Sequence, residues 1–282
     1  MNVARVFPRL TSATPDDNLA FIGAPPLNVP KVDEVHISVL FTYDMPKALE
    51  LKALWSRIAP VKMGGPAFGL PSGEFVPGLY IRKGHTITSR GCINRCWFCS
   101  VWKREPKLIE LPIKDGWIVL DDNLLACSEK HIREVFAMLK RQPHQAEFKG
   151  GLEAKLLQDW HVELLRDLNP KSMFFAYDTP DDKEPLELVA KMLTPYFSRN
   201  KLFCYVLIGY KGDTMEAAEE RLEFVKSLGI CPFAMLYRNE TGKTELSWRK
   251  FQRSWCRPAS IYAKNRTATA NLEGSPVKKA KA

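Results

Sequence analysis

Three cysteines stand close together in the segment SRGCINRCWFCSVWK, which spans residues 89–103. Cys92, Cys96 and Cys99 have the spacing C-x₃-C-x₂-C, so their thiolates could surround one metal centre from a single loop. A structural zinc site usually takes four ligands from two separated pairs, and this segment lacks the second pair. Catalytic zinc with three thiolates has no H-x-E-type partner nearby, and His85 precedes the loop. An iron–sulfur cube can be held by three cysteines, with one iron open to another ligand. From the residues alone, catalytic zinc and an iron–sulfur cluster both remain open, whereas chance clustering of buried cysteines is disfavoured.

The other cysteines and the N-terminus indicate a reducing compartment. The chain has seven cysteines, an odd number. Those outside the cluster are scattered singly among apolar residues, as expected of small buried hydrophobes: Cys127, Cys204, Cys231 and Cys256. The N-terminus lacks the charged start and apolar core of a secretory signal. No apolar run approaches the roughly 20 residues of a membrane-spanning helix. We therefore expect a cytoplasmic protein with free thiols and no membrane partner.

From residue 80 onward, short apolar runs alternate with segments of helical periodicity. The predicted strands are 85–89, 116–122, 146–150, 171–178, 202–209 and 231–237. The segments between them place apolar residues at helical spacing, and Ser128 is a predicted N-cap. Six strands alternating with helices indicate a parallel α/β sheet, which can be an open doubly wound sheet or a barrel.

The chain divides into three regions. The pattern of residues 34–64 predicts one β-α-β unit, which leads into the segment GGP. A Gly/Pro-rich bridge follows it. We place the N-terminal unit at 1–78, the α/β domain at 79–237 and a basic C-terminal segment at 238–282. This last segment has eleven Lys/Arg and three Glu, so it carries +8 of the chain's +9. Such asymmetry indicates an anionic partner, although its end, 274–282, could equally be a disordered tail.

The cysteine segment resembles the signature of the radical S-adenosylmethionine (SAM) superfamily, C-x₃-C-x-Φ-C with Φ aromatic, here CINRCWFC. The resemblance extends over residues 80–237. It implies a partial (β/α)₆ barrel in which the three cysteines bind three irons of a 4Fe–4S cluster and SAM chelates the fourth. It also implies an electron donor such as flavodoxin or ferredoxin, and a reaction that begins with a 5′-deoxyadenosyl radical.

The resemblance also implies roles for residues at the ends of the predicted strands. Phe98 would lie near the adenine, as would Ile208 and Gly209. For the methionine part of SAM, we slightly prefer Asp121 and Asp122 over the displaced Gly-Gly-x-Glu run. The complete set of implied cofactor-binding residues is Phe98, Asp121, Asp122, Gly150, Gly151, Glu153, Ile208 and Gly209. Tyr177 and Asp178 are candidates to face the substrate. Three alternatives remain open: helix capping by Asp122–Asn123, capping of the following helix by Tyr177–Asp178, and a plain turn at Gly150–Gly151.

The N-terminal unit resembles the cobalamin-binding half of some radical SAM proteins, because a β-α-β unit ending in G-G-P precedes the predicted barrel. However, the chain has no D-x-H-x-x-G segment, and His36 stands alone within a strand. We therefore interpret the unit as degenerate and do not expect cobalamin to bind.

The substrate prediction depends on a resemblance over the whole chain. The phrases GHTITSRGC, LDDNLLACS and FFAYDTPDD resemble those of bacterial and phage radical SAM proteins. Some of these are isomerases of thymidine hypermodification, which convert a glycine attached to thymine through nitrogen into one attached through its α-carbon. This implies a modified thymine in DNA as substrate and, for a phage protein, the host cytoplasm. Among the basic residues, Trp248, Phe251 and Trp255 have the spacing of a buried helix face.

Two other functions remain open. One is a radical SAM enzyme that modifies RNA or a small molecule. The sequence lacks a second cysteine cluster for methylthiolation and a recognisable cobalamin loop for methylation. The other is a non-catalytic zinc-binding or nucleic-acid-binding protein, which would be colourless.

Overall fold

The structure is a computed structural model that describes residues 1–69, 73–259 and 261–262. Its first part is a four-stranded parallel sheet with one helix. The elements are β1 (Val3–Phe7), β2 (Ala20–Ile22), β3 (Glu34–Ser38), α1 (Met45–Trp55) and β4 (Val61–Gly64). The strand order is β2-β1-β3-β4, and every pair is parallel.

The first sheet confirms the predicted β-α-β unit and adds two strands to it. β3 and β4 are parallel neighbours on either side of α1, and buried Leu51 and Trp55 of that helix pack against the sheet. β1 and β2 were not predicted. In β1 the run VARVF includes Arg5, which is buried because its guanidinium pairs with Asp17 and donates to the carbonyl of Leu79 at 2.9 Å.

The second part alternates strands and helices. Its elements are β5 (His85–Thr86), β6 (Ser89–Arg90), α2 (Val101–Arg104), β7 (Ile109–Glu110), β8 (Ile118–Val119), α3 (Glu129–Lys140), β9 (Glu147–Phe148), α4 (Asp159–Leu168), β10 (Ser172–Tyr177), α5 (Lys183–Leu193), β11 (Leu202–Ile208), α6 (Met215–Ser227), β12 (Cys231–Leu236) and α7 (Leu246–Ser254).

Six of these strands form one parallel sheet in the order β12-β11-β10-β9-β8-β5, so spatial order follows chain order. The prediction of a parallel α/β sheet is confirmed at this level. The predicted strand 85–89 is divided: β5 joins the sheet, whereas β6 pairs antiparallel with β7. The helix predicted from residue 152 begins instead at Asp159, where Gln158 and His161 form a capping box.

Each sheet has its own apolar core. In the second, α3 to α6 cover one face of the strands. α7 packs against the same cluster through half-buried Trp248 and Phe251, and Trp255 just after it is 1% exposed. The predicted buried face is confirmed. Within the part of the chain that the structure describes, no helix combines the length and apolar character needed to span a membrane.

Candidate active site

The cysteine loop lies at the carboxyl edge of the second sheet. In a parallel sheet, the loops that follow the strands all meet at this edge, which is where such folds bind ligands. Cys92, Cys96 and Cys99 follow β6, which the chain reaches directly from β5. The predicted site residues 121–122, 150–153, 177–178 and 208–209 all lie at or just after the ends of β8, β9, β10 and β11.

The cysteine loop is held by contacts at both ends. Gly91 has φ +82°, and a Cβ there would lie 2.0 Å from the carbonyl oxygen of Lys107, so only glycine fits. The Gly91 amide donates to Oδ2 of Asp122 at 2.9 Å. Further along, Nε1 of Trp102 donates to the carbonyl of Cys96 at 3.0 Å. The loop is therefore fixed to the end of β8.

All three thiols are half-buried, and two of them accept hydrogen bonds. The Asn94 amide donates to Sγ of Cys92 and the Val101 amide to Sγ of Cys99, each at 3.4 Å. Burial, together with the charges of neighbouring thiolates, raises the pKa of Cys96 and of Cys99. A cationic metal centre would reverse this effect, because metal ligation favours the thiolate. Among the described residues, no three His, Cys, Asp or Glu side chains are arranged to hold one metal ion. Ligands to three different irons do not have to converge on one point, so the donor set fits a cluster.

The two aspartates after β8 support the loop. Asp121 is 1% exposed, and its carboxylate accepts from the amide and hydroxyl of Thr88, at 2.6 and 2.5 Å, and from the hydroxyl of Ser89 at 2.8 Å. Burial raises the pKa of Asp121, while these three donors act in the opposite direction. Asp122 holds Gly91, as described above. Both carboxylates therefore have partners in the loop that carries the cysteines.

Asn123 joins the cysteine loop to Glu153, whereas the sequence indicated only a possible helix cap at this residue. Its Nδ2 donates to Sγ of Cys92 at 3.4 Å and contacts Oε2 of Glu153. Asn123 is 3% exposed, and its Oδ1 is buried without a hydrogen-bond partner. Gly150 lies so close to β8 that a Cβ would be 2.1 Å from the carbonyl of Asp121. This close approach, followed by Gly151 with φ +102°, turns Glu153 towards Cys92.

The two candidates at the end of β10 have different surroundings. Tyr177 is buried, and its ring packs against Phe224 of α6. Oδ1 of Asp178 accepts from the amide of Leu207 at 3.0 Å. Burial raises the pKa of Asp178 from 3.8 to about 7, and the charge of Asp182 adds to the increase. The charges of both aspartates also raise the pKa of Cys96.

The end of β11 is fixed by a buried ion pair. The Gly209 amide donates to Oδ2 of Asp213 at 2.7 Å, and Arg221 contacts the same oxygen at 2.9 Å. Ile208 is fully buried. Half-buried Phe98 contacts Trp97 edge to face, with ring centroids 5.4 Å apart. Trp97 in turn reaches rings that follow β11 and β12. That contact could not be predicted from the sequence, because it joins three separate loops.

A cavity of about 550 Å³ lies between the first sheet and the second. The carboxyl ends of β1, β3 and β4 line it through Phe7, Ser38 and Gly64, and Arg90 and Leu120 line it from the second sheet. The volume falls in the range of about 300–1,000 Å³ that is usual for small-molecule sites.

No protein-family model matches the chain, and no curated protein matches it. Among solved structures, the chain is similar to TsrM from Kitasatospora setae, a radical S-adenosylmethionine methyltransferase whose structure holds cobalamin and a 4Fe–4S cluster. The TM-score is 0.60 at 11% sequence identity, and the match covers 85% of this chain and 76% of TsrM. The chain therefore has the fold of a radical SAM enzyme.

The comparison corrects one prediction. We did not expect cobalamin, because the D-x-H-x-x-G segment is missing and the N-terminal unit looked degenerate. TsrM holds cobalamin, and its fold matches 85% of this chain. The prediction that cobalamin does not bind is therefore wrong. The physical reason lies in the first sheet: it has four strands, and its carboxyl edge borders a cavity.

Proposed function

We propose that this protein is a radical SAM enzyme whose cluster is bound by Cys92, Cys96 and Cys99. The observation that carries the proposal is that Asn123 joins the cysteine loop to Glu153 at the carboxyl edge of a parallel sheet. The six sequential strands would form the predicted partial barrel. When bound, the cluster would supply one electron to the sulfonium of SAM and so generate a 5′-deoxyadenosyl radical.

Within this proposal, Glu153 and Asn123 bind the ammonium group of SAM. Glu153 supplies a carboxylate and Asn123 an unpartnered buried oxygen, and both lie beside Cys92. A buried acceptor without a donor is costly, so a ligand that donates to it is stabilised. Asp121, by contrast, already accepts three hydrogen bonds. Phe98 and the backbone at Ile208–Gly209 would then contact the adenine.

We further propose that the substrate is a thymine carrying a glycine on its 5-methyl carbon, and that the product is the Cα-linked isomer. Asp178 would face the substrate because it follows the carboxyl end of β10, at the same edge of the sheet as the cysteine loop. With a pKa of about 7, its carboxyl can hold a proton near neutral pH, and its carboxylate can accept one from the amino group of the glycine. The ring of Phe174 stacks on that of Tyr205, and Phe233 contacts both rings edge to face. This aromatic cluster would exclude water.

Anaerobic reconstitution with iron and sulfide, followed by addition of SAM and DNA with glycine-modified thymine, tests this function. Nucleoside mass spectrometry with chromatography should show a new isomer of unchanged mass, together with 5′-deoxyadenosine or turnover of SAM. A product heavier by a methyl group would contradict the isomerase. A protein that stays colourless and binds zinc would contradict the radical SAM proposal altogether.

The second candidate is a cobalamin-dependent methyl transfer, favoured by the cavity at the carboxyl edge of the first sheet. Gly64 opens into this space, since a Cβ there would have no atom within 4 Å. His36 lines the cavity, but its ring nitrogens are hydrogen-bonded to Glu34 and Tyr80, so a bound cobalt would not use it without breaking these bonds. Incubation with hydroxocobalamin and gel filtration should leave a corrin spectrum with the protein. Loss of the spectrum on filtration would contradict this candidate.

A further inference from the structure

Aromatic and cationic side chains alternate along a surface that runs from the cysteine loop to the first sheet. The ring of Trp97 lies 5.6 Å from those of Tyr210 and Tyr237. Arg238 follows Tyr237 in the chain and lies over the ring of Tyr43, 5.6 Å from its centroid. We call this surface the aromatic band. Phe41 and Arg9, which are described next, also belong to it. Its members are Phe41, Tyr43, Trp97, Tyr210, Tyr237, Arg9 and Arg238.

The far end of the band is a stacked pair of rings with a cation above it. Phe41 and Tyr43 are 5.0 Å apart and nearly parallel, at 7°. The guanidinium of Arg9 lies 4.9 Å from the Tyr43 centroid and 5.7 Å from that of Phe41. Arg9 is itself fixed, because Nε donates to the buried carboxylate of Asp44 at 2.6 Å. Burial of Asp44 and this ion pair therefore fix one cation of the band in place.

The band is accessible, unlike the aromatic residues of the two cores. Trp97 is 56% exposed, and Arg238 is exposed. The other rings of the band are half-buried. A large exposed tryptophan with ring partners on two sides is unfavourable in water but is suited to stacking against a planar ligand.

The loop after β12 joins the two ends of the band. Gly242 of this loop packs against Tyr43, since a Cβ at Gly242 would lie 2.7 Å from that ring. The same loop carries Tyr237 and Arg238. One segment therefore contacts both the first sheet and the ring cluster beside the cysteines, which makes the band continuous.

We propose that the aromatic band binds a single-stranded segment of DNA that flanks the modified thymine. This inference rests on the proposed function, since it names where the DNA substrate docks. Rings that alternate with arginines are the chemistry of single-strand binding: bases stack on the rings and phosphates pair with the cations. Trp97 would stack the base nearest the cysteine loop, and Tyr43 with Phe41 a base further along the strand. A base that is stacked in a duplex cannot reach the cysteine loop at the carboxyl edge of the second sheet, so the target base must leave the stack. Arg9 and Arg238, both exposed, give the band the sign of charge that attracts DNA.

Fluorescence anisotropy of the full-length protein with a labelled single-stranded deoxyoligonucleotide tests the band. Trp97→Ala should weaken binding about tenfold, which corresponds to about 1.4 kcal/mol. Tyr43→Leu should have a similar effect, and it changes a residue remote in sequence from the cysteines. Arg238→Gln should weaken binding and reduce the slope of log Kd against log salt by about one.

Tyr196→Ala is the matched control. Tyr196 is 53% exposed and carries Arg166 over its ring at 4.1 Å, so it has the same chemistry outside the band. Binding by this variant should equal that of the wild type. Equal binding by Tyr43→Leu, Arg238→Gln and the control would overturn the proposal, as would tighter binding of duplex DNA or of RNA of the same sequence. Far-UV circular dichroism checks that each variant is folded.

Two measurements on the wild-type protein separate this inference from the proposed function. If the protein acquires the cluster and cleaves SAM but binds no single-stranded DNA, the band proposal is wrong and the radical SAM proposal stands. If it binds single-stranded DNA through the band but acquires no cluster, the radical SAM proposal is wrong and the band is a nucleic-acid site of another kind.

Discussion

The carboxyl edges of the two parallel sheets have the same parallel strand arrangement but differ in whether their buried polar groups are paired. At the first edge, the buried carboxylate of Asp44 is paired with Arg9. At the second, the raised pKa of Asp178 reflects burial beside Asp182, and Asn123 has a buried oxygen without a partner. Three half-buried thiols lie at the same second edge.

The difference shows where this fold leaves polar groups for a ligand. Unpaired buried charges and acceptors cost stability, so they persist where a ligand satisfies them. Asn123 Oδ1 at the second edge is such a group, whereas Asp44 and Arg9 at the first edge satisfy each other. The proposed cluster and SAM would bind at the second edge, and the cobalamin of the second candidate function would bind at the first.

The largest expected effect comes from removing one thiol of the second edge. Cys99→Ala should lose cluster incorporation and SAM cleavage together, because a cube held by three cysteines has no spare protein ligand. Iron content and the visible spectrum after anaerobic reconstitution measure the loss.

Cys256→Ala is the matched control for that variant. Cys256 is also half-buried, but its thiol lies near the carbonyl of Ala234, away from the loop. It should bind iron as the wild type does. Normal iron content in Cys99→Ala would break the ligand assignment.

Asp178 should give the next largest effect, and its sign depends on pH. Because its pKa is raised from 3.8 to about 7 in the folded protein, the folded state holds a proton that the unfolded chain releases. The carboxyl therefore destabilises the fold increasingly as pH rises from about 4 to 7, and the full cost applies above 7. Asp178→Asn keeps an acceptor for the Leu207 amide and removes the charge. It should stabilise the metal-free protein by on the order of 2–4 kcal/mol at pH 8 and by little at pH 4.

Urea unfolding at the two pH values measures this change in the free energy of unfolding. The exposed neighbour Asp181, changed to Asn, is the control and should change stability by less than about 0.5 kcal/mol at either pH. If Asp178→Asn and wild type have the same urea midpoint at pH 8, the two edges do not differ in the way described.

Much of this comparison could be predicted from the sequence, because it depends on local patterns. The spacing of Cys92, Cys96 and Cys99 and the alternation of strands and helices are both local.

What the sequence could not predict depends on contacts between distant segments. Asn123 matters because the loops after β8 and β9 meet at Glu153. β1 was missed because the burial of Arg5 requires Asp17 as a partner. The cavity, and with it the error about cobalamin, required the packing of one sheet against the other.

Two glycines, one at each edge, differ in the space available for a side chain. A Cβ at Gly150 would lie 2.1 Å from the backbone oxygen of Asp121, whereas a Cβ at Gly64 would have no atom within 4 Å. Gly150→Ala must shift the backbone that positions Glu153, so it should destabilise the protein by about 1–3 kcal/mol. Gly64→Ala should change stability by less than about 0.5 kcal/mol. Thermal unfolding measures both, and equal midpoints would mean that the second edge is not the more tightly built.

The smallest expected effect concerns the C-terminal tail, which lies outside the described residues. Residues 274–282 contain three lysines, so their removal should lower the salt slope of DNA binding by less than three and weaken binding only modestly at physiological salt. Base stacking is short-ranged and depends on geometry, whereas a lysine-rich tail contributes charge alone. The truncated protein should therefore keep its preference for single-stranded over duplex DNA, measured by anisotropy across a salt series. If that preference disappears when the tail is removed, the tail selects single-stranded DNA and the aromatic band does not.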